Sequence, residues 1–114
     1  MPRSRPRLEP FDDGILISLS GELDAYDAPA LREAFGEALD ELGERTVVAL
    51  DLAAVSFLDS TVLGTIVGLL KRVRERGGEL RVVLPETEAR RIFALTALDR
   101  TLDVRPSREA ALVG

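Results

Sequence analysis

The feature that most constrains the fold is an apolar strand pattern that passes directly into a capped helix pattern. Thr46 to Leu50 form a near-continuous apolar run, which is typical of a central strand covered on at least one face. The segment Leu58-Asp59-Ser60-Thr61-Val62-Leu63-Gly64 then opens a helix that ends at Gly77-Gly78. Asp59 is the predicted N-cap, because Leu58 and Leu63 occupy the two positions of a hydrophobic staple.

Strand and helix patterns also alternate in the rest of the chain, after an initial hairpin. Leu8 to Phe11 and Ile15 to Ser20 read as strands joined by the turn Asp12-Asp13-Gly14, after which Gly21 to Asp24 leave the second strand. The other predicted elements are a helix capped by Asp27 and ended by Gly43, a strand at 80–84, a helix opening at Pro85, an edge strand at 102–104 and a helical turn from Ser107 to Leu112.

These elements predict one α/β domain, with a mixed β-sheet that carries an N-terminal hairpin and packs against about four helices. A length of 114 residues is sufficient for a single core. Residues 1–7, which are rich in proline and arginine, are predicted to form a flexible arm, and residues 8–112 to form the domain.

The composition argues against several classes of function. A net charge of −5 argues against nucleic-acid binding, which needs a basic surface. Cysteine and histidine are absent, so thiol chemistry and the commonest general base are excluded. Enzymatic activity is not expected, because Ser60 or Thr61 as a nucleophile would need an adjacent base. We expect no cofactor, no metal and no membrane insertion, and the default location is the cytoplasm.

Ser60 and Thr61 are candidate phosphate acceptors, because they stand at the first two positions of the predicted helix. Free backbone N–H groups and the helix dipole both favour a negative charge there. The alternative interpretation is that Asp59, Ser60 and Thr61 only cap the helix, and the local sequence leaves both interpretations open. Asp24 is similarly ambiguous, since it could cap a helix or make a polar contact near the acceptor.

The second helix also has a face of small side chains. We expect a shallow docking groove along this face, because it lies about 100° from the core stripe. Close packing of the helix on the sheet is the alternative. The small-residue face comprises Thr61, Gly64, Thr65 and Gly68, and the predicted core stripe comprises Leu63, Ile66, Leu70 and Val73.

Five features occur in one order along the chain: the Gly21-Glu22-Leu23-Asp24 segment, the apolar strand, the segment 59–64, the helix ending at Gly77-Gly78 and the strand 80–84. Together they resemble a STAS domain. More narrowly, the chain resembles the bacterial anti-sigma factor antagonists over residues 8–112. In that family the second hydroxyl residue of the motif is phosphorylated, which implies Thr61 here, with Ser60 as the second choice. The residues expected to bind a partner are Asp24, Asp59, Ser60, Thr61, Gly64, Thr65 and Gly68.

The resemblance implies a regulator that catalyses nothing itself. Unphosphorylated, it would bind an anti-sigma factor that is also a serine/threonine kinase, and so release a sigma factor. Phosphorylated, it would dissociate until a phosphatase removes the phosphate. Val62 departs from the glycine usual in the family, and its branched side chain is expected to narrow the surface beside the acceptor. The alternative is a STAS accessory subunit of a lipid or solute transporter, or a scaffold subunit of a signalling assembly.

Overall fold

A five-stranded mixed sheet forms the centre of the computed structural model, which describes residues 5–84 and 103–113. The strands lie side by side in sequence order. The first pair is antiparallel and the other three pairs are parallel, so the predicted α/β fold with an N-terminal hairpin is confirmed. The strands are β1 (Arg7–Phe11), β2 (Gly14–Leu23), β3 (Val47–Leu58), β4 (Glu79–Val83) and β5 (Asp103–Arg105).

The predicted hairpin turn joins β1 to β2. Phe11 pairs with Gly14, and Asp12 and Asp13 form the loop between them. Gly14 lies so close to the backbone of Val47 at the start of β3 that a Cβ atom would collide with the Val47 carbonyl group. A glycine is therefore required where the hairpin meets the central strand.

Three α-helices occur in the described residues, where about four were predicted for the whole chain. They are α1 (Ala28–Leu42), α2 (Ser60–Glu75) and α3 (Arg108–Leu112), and a 3-10 turn (Ala25–Asp27) precedes α1. As predicted, α1 ends at Gly43, which adopts a positive φ of 61°. The helix expected to open at Pro85 lies outside the described residues, as does residue 102 of the predicted edge strand.

The main core lies between the sheet and the two long helices. α1 packs against β2 and α2, and α2 packs against β3 and β4. All four residues of the predicted core stripe of α2 are buried, together with Val62 and Leu69. Among residues 5–84 and 103–113, no helix has the length and apolarity needed to cross a membrane. The predicted boundary between a flexible arm and the domain stays a prediction.

β2 and β3 are both longer than the sequence pattern predicts. β3 was expected to end near Leu50 and β2 near Ser20, but they continue to Leu58 and Leu23, which pair with each other. The prediction that Gly21 to Asp24 leave β2 is therefore wrong for its first three residues. The cause is continued pairing through two register shifts, which interrupt the alternation of buried and exposed side chains. This extension brings the ends of both strands to the start of α2.

Candidate functional site

The candidate site lies at the start of α2, at the carboxyl end of the central strand. Asp59 has an extended backbone, and its Oδ1 accepts a hydrogen bond of 2.9 Å from the Val62 N–H. Its backbone oxygen accepts the first intrahelical bond, of 3.0 Å, from the Leu63 N–H. The predicted N-cap is therefore confirmed, and Ser60 and Thr61 occupy the first two helical positions.

Both candidate hydroxyl residues are exposed, but only Thr61 lines the groove between α1 and α2. Ser60 and Thr61 form no side-chain hydrogen bond with the residues the structure describes, so each hydroxyl is available. The Thr65 hydroxyl differs, because it donates a 3.0 Å hydrogen bond to the Thr61 carbonyl oxygen one turn earlier. Exposure and a free hydroxyl therefore distinguish Ser60 and Thr61 from the third hydroxyl residue of this helix.

Val62 does not narrow the surface beside Thr61, so that expectation was wrong. Its side chain is fully buried and belongs to the main core cluster. Successive helical residues are rotated by about 100°, so Val62 turns towards the sheet while Thr61 faces outwards. The Val62 side chain therefore adds to the core and takes no part in the surface around Thr61.

The Asp59 carboxylate joins α2 to the 3-10 turn that follows β2. Its second oxygen, Oδ2, accepts a 2.9 Å hydrogen bond from the Ala25 N–H, while the Asp59 N–H donates to the Leu23 carbonyl oxygen. Asp24 caps the 3-10 turn by accepting from the Tyr26 N–H at 2.9 Å. Asp24 is thus a helix cap held next to the start of α2, which brings together two of the predicted site residues.

Tyr26 is a surface feature that the sequence analysis did not identify. It stands on the 3-10 turn beside the Asp59 junction, and 82% of its surface is exposed. A large aromatic side chain in such a position is typical of protein interfaces. The only sequence signal was an aromatic residue in an otherwise polar loop, which is weak on its own.

A groove of about 300 Å³ lies between α1 and α2 and is lined by the predicted small-residue face. A Cβ atom added to Gly64 or Gly68 would have no heavy atom within 4 Å. The alternative interpretation, that these glycines allow close packing on the sheet, is therefore wrong. The groove begins at Thr61, which lines it together with Thr65.

Four further residues line the groove and were not identified from the sequence. Phe35 and Leu69 form its apolar base and are almost completely buried. Arg32 from α1 and Arg72 from α2 are exposed, and among residues 5–84 and 103–113 no acidic side chain lines the groove. Arg72 lies four residues after Gly68, so helical spacing could have identified it. Arg32 could not have been found, because its position depends on how α1 packs on α2.

Comparisons with known proteins agree with this architecture. The STAS domain family model matches residues 6–111. The anti-sigma-B factor antagonist of Listeria monocytogenes is 37% identical, over 82% of this chain and 80% of the relative. That of Bacillus subtilis is 31% identical, over 89% of this chain and 90% of the relative.

The solved structures include an anti-sigma factor antagonist from Mycobacterium paratuberculosis with a TM-score of 0.83 and 32% identity. The match covers 94% of this chain and 89% of that protein. The resemblance stated from the sequence is confirmed by both kinds of comparison. With its sheet order, its capped second helix and this family match, the chain belongs to the STAS domain family.

Proposed function

We propose that the chain is an anti-sigma factor antagonist that works by partner switching in the cytoplasm. One observation carries the proposal: Thr61 presents an unengaged hydroxyl at the mouth of an open groove, at the capped start of α2. The curated relatives that bear the name anti-sigma-B factor antagonist support it through their similarity over most of the chain. The partner is then an anti-sigma factor that also has serine/threonine kinase activity.

Thr61 is the preferred acceptor because phosphate there would act on the groove. Ser60 is also exposed, but it is not among the residues that line the groove. A phosphoryl group on Ser60 would therefore lie beside the docking surface, whereas one on Thr61 would lie within it. The remaining partner-binding residues of the proposal are Asp24, Asp59, Ser60, Gly64, Thr65 and Gly68.

In the transfer step, the Thr61 oxygen forms a bond to the γ-phosphorus of ATP, and the bond to the ADP oxygen breaks. The hydroxyl proton passes to a base that the kinase supplies. The nearby Asp59 carboxylate already accepts hydrogen bonds from Val62 and Ala25 through its two oxygens. Its role is to hold the helix start in place while the acceptor is presented.

Phosphorylation is expected to block docking without unfolding the domain. A phosphate carries about −1.5 to −2 charges at neutral pH, and the helix N-terminus favours such a charge. A partner that closes over the groove would have to desolvate this group, which costs several kcal/mol unless a cation is supplied. Binding is therefore weakened while the fold is retained, and a phosphatase restores the binding form.

The proposal is tested with the kinase anti-sigma factor of the source organism and ATP. We expect Thr61→Ala to abolish phosphate incorporation, and Ser60→Ala and the control Thr65→Ala to retain most of it. Calorimetric titration should show that the phosphorylated chain binds at least about tenfold more weakly than the unmodified chain. Its melting temperature should be almost unchanged.

Three results would contradict this proposal in different ways. Loss of incorporation in Ser60→Ala alone would move the acceptor by one residue. Tight binding by the phosphorylated chain would refute the switch. No binding and no incorporation in the wild type, with a kinase verified on another substrate, would favour a transporter accessory subunit or a signalling scaffold.

A further inference from the structure

We propose that the groove between α1 and α2 binds an acidic segment of the partner protein, and that Arg32 and Arg72 pair with its carboxylates. The inference rests on the proposed function, because it specifies the chemistry by which the same partner is recognised. It assigns a binding role to two residues that neither the helix-start motif nor the family match identifies.

The side chains of Arg32 and Arg72 have no partner among the residues that the structure describes. Both side chains are exposed, and neither forms an ion pair or hydrogen bond with any residue among 5–84 and 103–113. Other arginines of the same domain are engaged: Arg45 donates to backbone carbonyl groups near the hairpin, and Arg108 pairs with Asp51 at 2.7 Å. The two groove arginines are therefore free to meet an external anion.

The charge of the groove is opposite to that of the chain. The sequence has a net charge of −5, yet the groove-lining residues that the structure describes include two arginines and no aspartate or glutamate. An acidic protein that concentrates unpaired cations in one concave surface presents a complementary site for negative charge. Arginine is suited to this role because its planar guanidinium group can bind a carboxylate through two parallel hydrogen bonds.

The volume of the groove indicates that the occupant is larger than a single anion. Phe35 and Leu69 lie at the base, and the glycines at positions 64 and 68 leave the space above them open. A free phosphate would use the arginines but would fill only a small part of the volume of about 300 Å³. A polypeptide that carries carboxylates can pair with both arginines and fill the space between the helices, so the occupant is a protein segment.

This arrangement also gives a physical reason for release. Thr61 lines the same groove as Arg32 and Arg72, so a phosphate on Thr61 would bring about −1.5 to −2 charges to the basic surface. It would repel the carboxylates of a partner segment that enters the same groove. Phosphorylation therefore removes the charge complementarity as well as obstructing the groove.

The test compares charge reversals on and off the groove. Arg32→Glu and Arg72→Glu are titrated calorimetrically against the anti-sigma factor, with Lys71→Glu as the matched control. Lys71 is exposed on α2 next to Arg72 but does not line the groove. We expect each arginine variant to bind at least about tenfold more weakly and with a smaller dependence on salt, and the lysine variant to bind within about twofold of wild type. Unchanged melting temperatures would show that each variant is folded.

One result of this titration would overturn the inference, and it is distinguishable from failure of the proposed function. If the wild type binds the anti-sigma factor and both arginine variants bind equally well, the partner switch stands and the acidic-segment proposal is wrong. If the wild type does not bind that factor, the proposed function fails, and a second measurement decides the inference.

That second measurement uses NMR with short synthetic peptides of alternating glutamate and leucine, and of alternating lysine and leucine. Shifts of the Gly64 and Gly68 amide signals with the acidic peptide alone, lost in Arg32→Glu, would support the groove as an acidic-segment site. Shifts with neither peptide, or with both, would refute it.

Discussion

The two faces of the sheet are built from the same strands but are held by different forces. On the face that α1 and α2 cover, one row across the five strands is entirely aliphatic. The adjacent row, whose side chains point to the opposite face, is mostly polar and charged. The first row is Leu8, Ile17, Leu50, Val82 and Val104, and the second is Arg7, Ser18, Asp51, Val83 and Arg105.

The opposite face is closed by α3, which is only five residues long. A helix of that length is not stable alone, so tertiary contacts must hold it. Arg81 donates a 2.9 Å hydrogen bond to the Ala111 carbonyl oxygen, and Arg105 donates one of 2.9 Å to that of Ala110. Arg108 extends from the helix to the buried Asp51 carboxylate.

The two faces should therefore respond differently to mutation. The helical face depends on apolar area and close packing, which are spread over more than twenty buried side chains. The α3 face has a small apolar cluster and depends on a few directed polar contacts. Loss of one contact there should release α3 locally, whereas a cavity in the main core should lower the stability of the whole domain.

The largest effect is expected in the main core. Leu63 is 5% exposed, and Leu63→Ala should lower the free energy of unfolding by about 2–5 kcal/mol through lost burial and a cavity. The neighbouring Gly64→Ala is the matched control, because its Cβ meets nothing within 4 Å. It should stabilise α2 by up to about 1 kcal/mol, since alanine is the better helix former. Urea unfolding measures both, and a loss well below about 1 kcal/mol for Leu63→Ala would refute the packing described for α2.

A smaller and asymmetric effect is expected at the Asp51–Arg108 pair. The Asp51 side chain is 7% exposed and that of Arg108 is 49% exposed. Arg108→Ala should cost about 1–3 kcal/mol, because it leaves a buried carboxylate without its cation. Asp51→Asn should cost less, because water can solvate the arginine that remains.

Hydrogen exchange of the Ala110 and Ala111 amides provides a local measurement of the same pair. Both amides donate hydrogen bonds to Ser107, the N-cap of α3, so they should exchange faster in Arg108→Ala while the amides of α2 stay protected. Equal losses of stability in Arg108→Ala and Asp51→Asn would contradict the expected difference between the two partners. Faster exchange throughout the domain would contradict a local release of α3.

The helical face could be predicted from the sequence much better than the α3 face. Apolar periodicity identified the core stripe of α2, and capping chemistry identified Asp59 and Gly43, because these are local patterns. The extension of β3 to Leu58 was missed, since pairing with β2 continues through register shifts that interrupt the pattern.

The residues of the candidate site also differ in whether the sequence could predict them. The small-residue face of α2 follows from helical spacing, so Thr61 and its glycines could be identified in advance. Arg32 and Phe35 enter the groove only through the packing of α1 on α2, which a single sequence does not specify. Helical geometry turns the Val62 side chain inwards. The expectation that Val62 narrows the surface beside Thr61 was wrong, because it considered only that the two residues are adjacent in sequence.

The smallest expected effect concerns the exposed ion pair at the edge strand β5. Arg105 donates two hydrogen bonds to the Asp103 carboxylate, at 2.8 and 3.0 Å, and these bonds lower the pKa of Asp103 below its ordinary value. A depressed folded-state pKa means that the contribution to stability is complete above the unfolded value of about 3.9 and is lost as the pH falls through the lower folded value.

Because the Asp103 side chain is 38% exposed, solvent screening should limit this contribution to about 0.5 kcal/mol. Asp103→Asn should therefore change the free energy of unfolding only slightly at neutral pH and should flatten its decline below about pH 4. Urea unfolding of the wild type and this variant across that range measures the difference. If the free energy of unfolding declines equally in the wild type and in Asp103→Asn below about pH 4, the Asp103–Arg105 pair does not contribute to the loss of stability in acid. A loss as large as that of Arg108→Ala would mean that exposed and buried ion pairs contribute equally to the α3 face, which the difference in burial argues against.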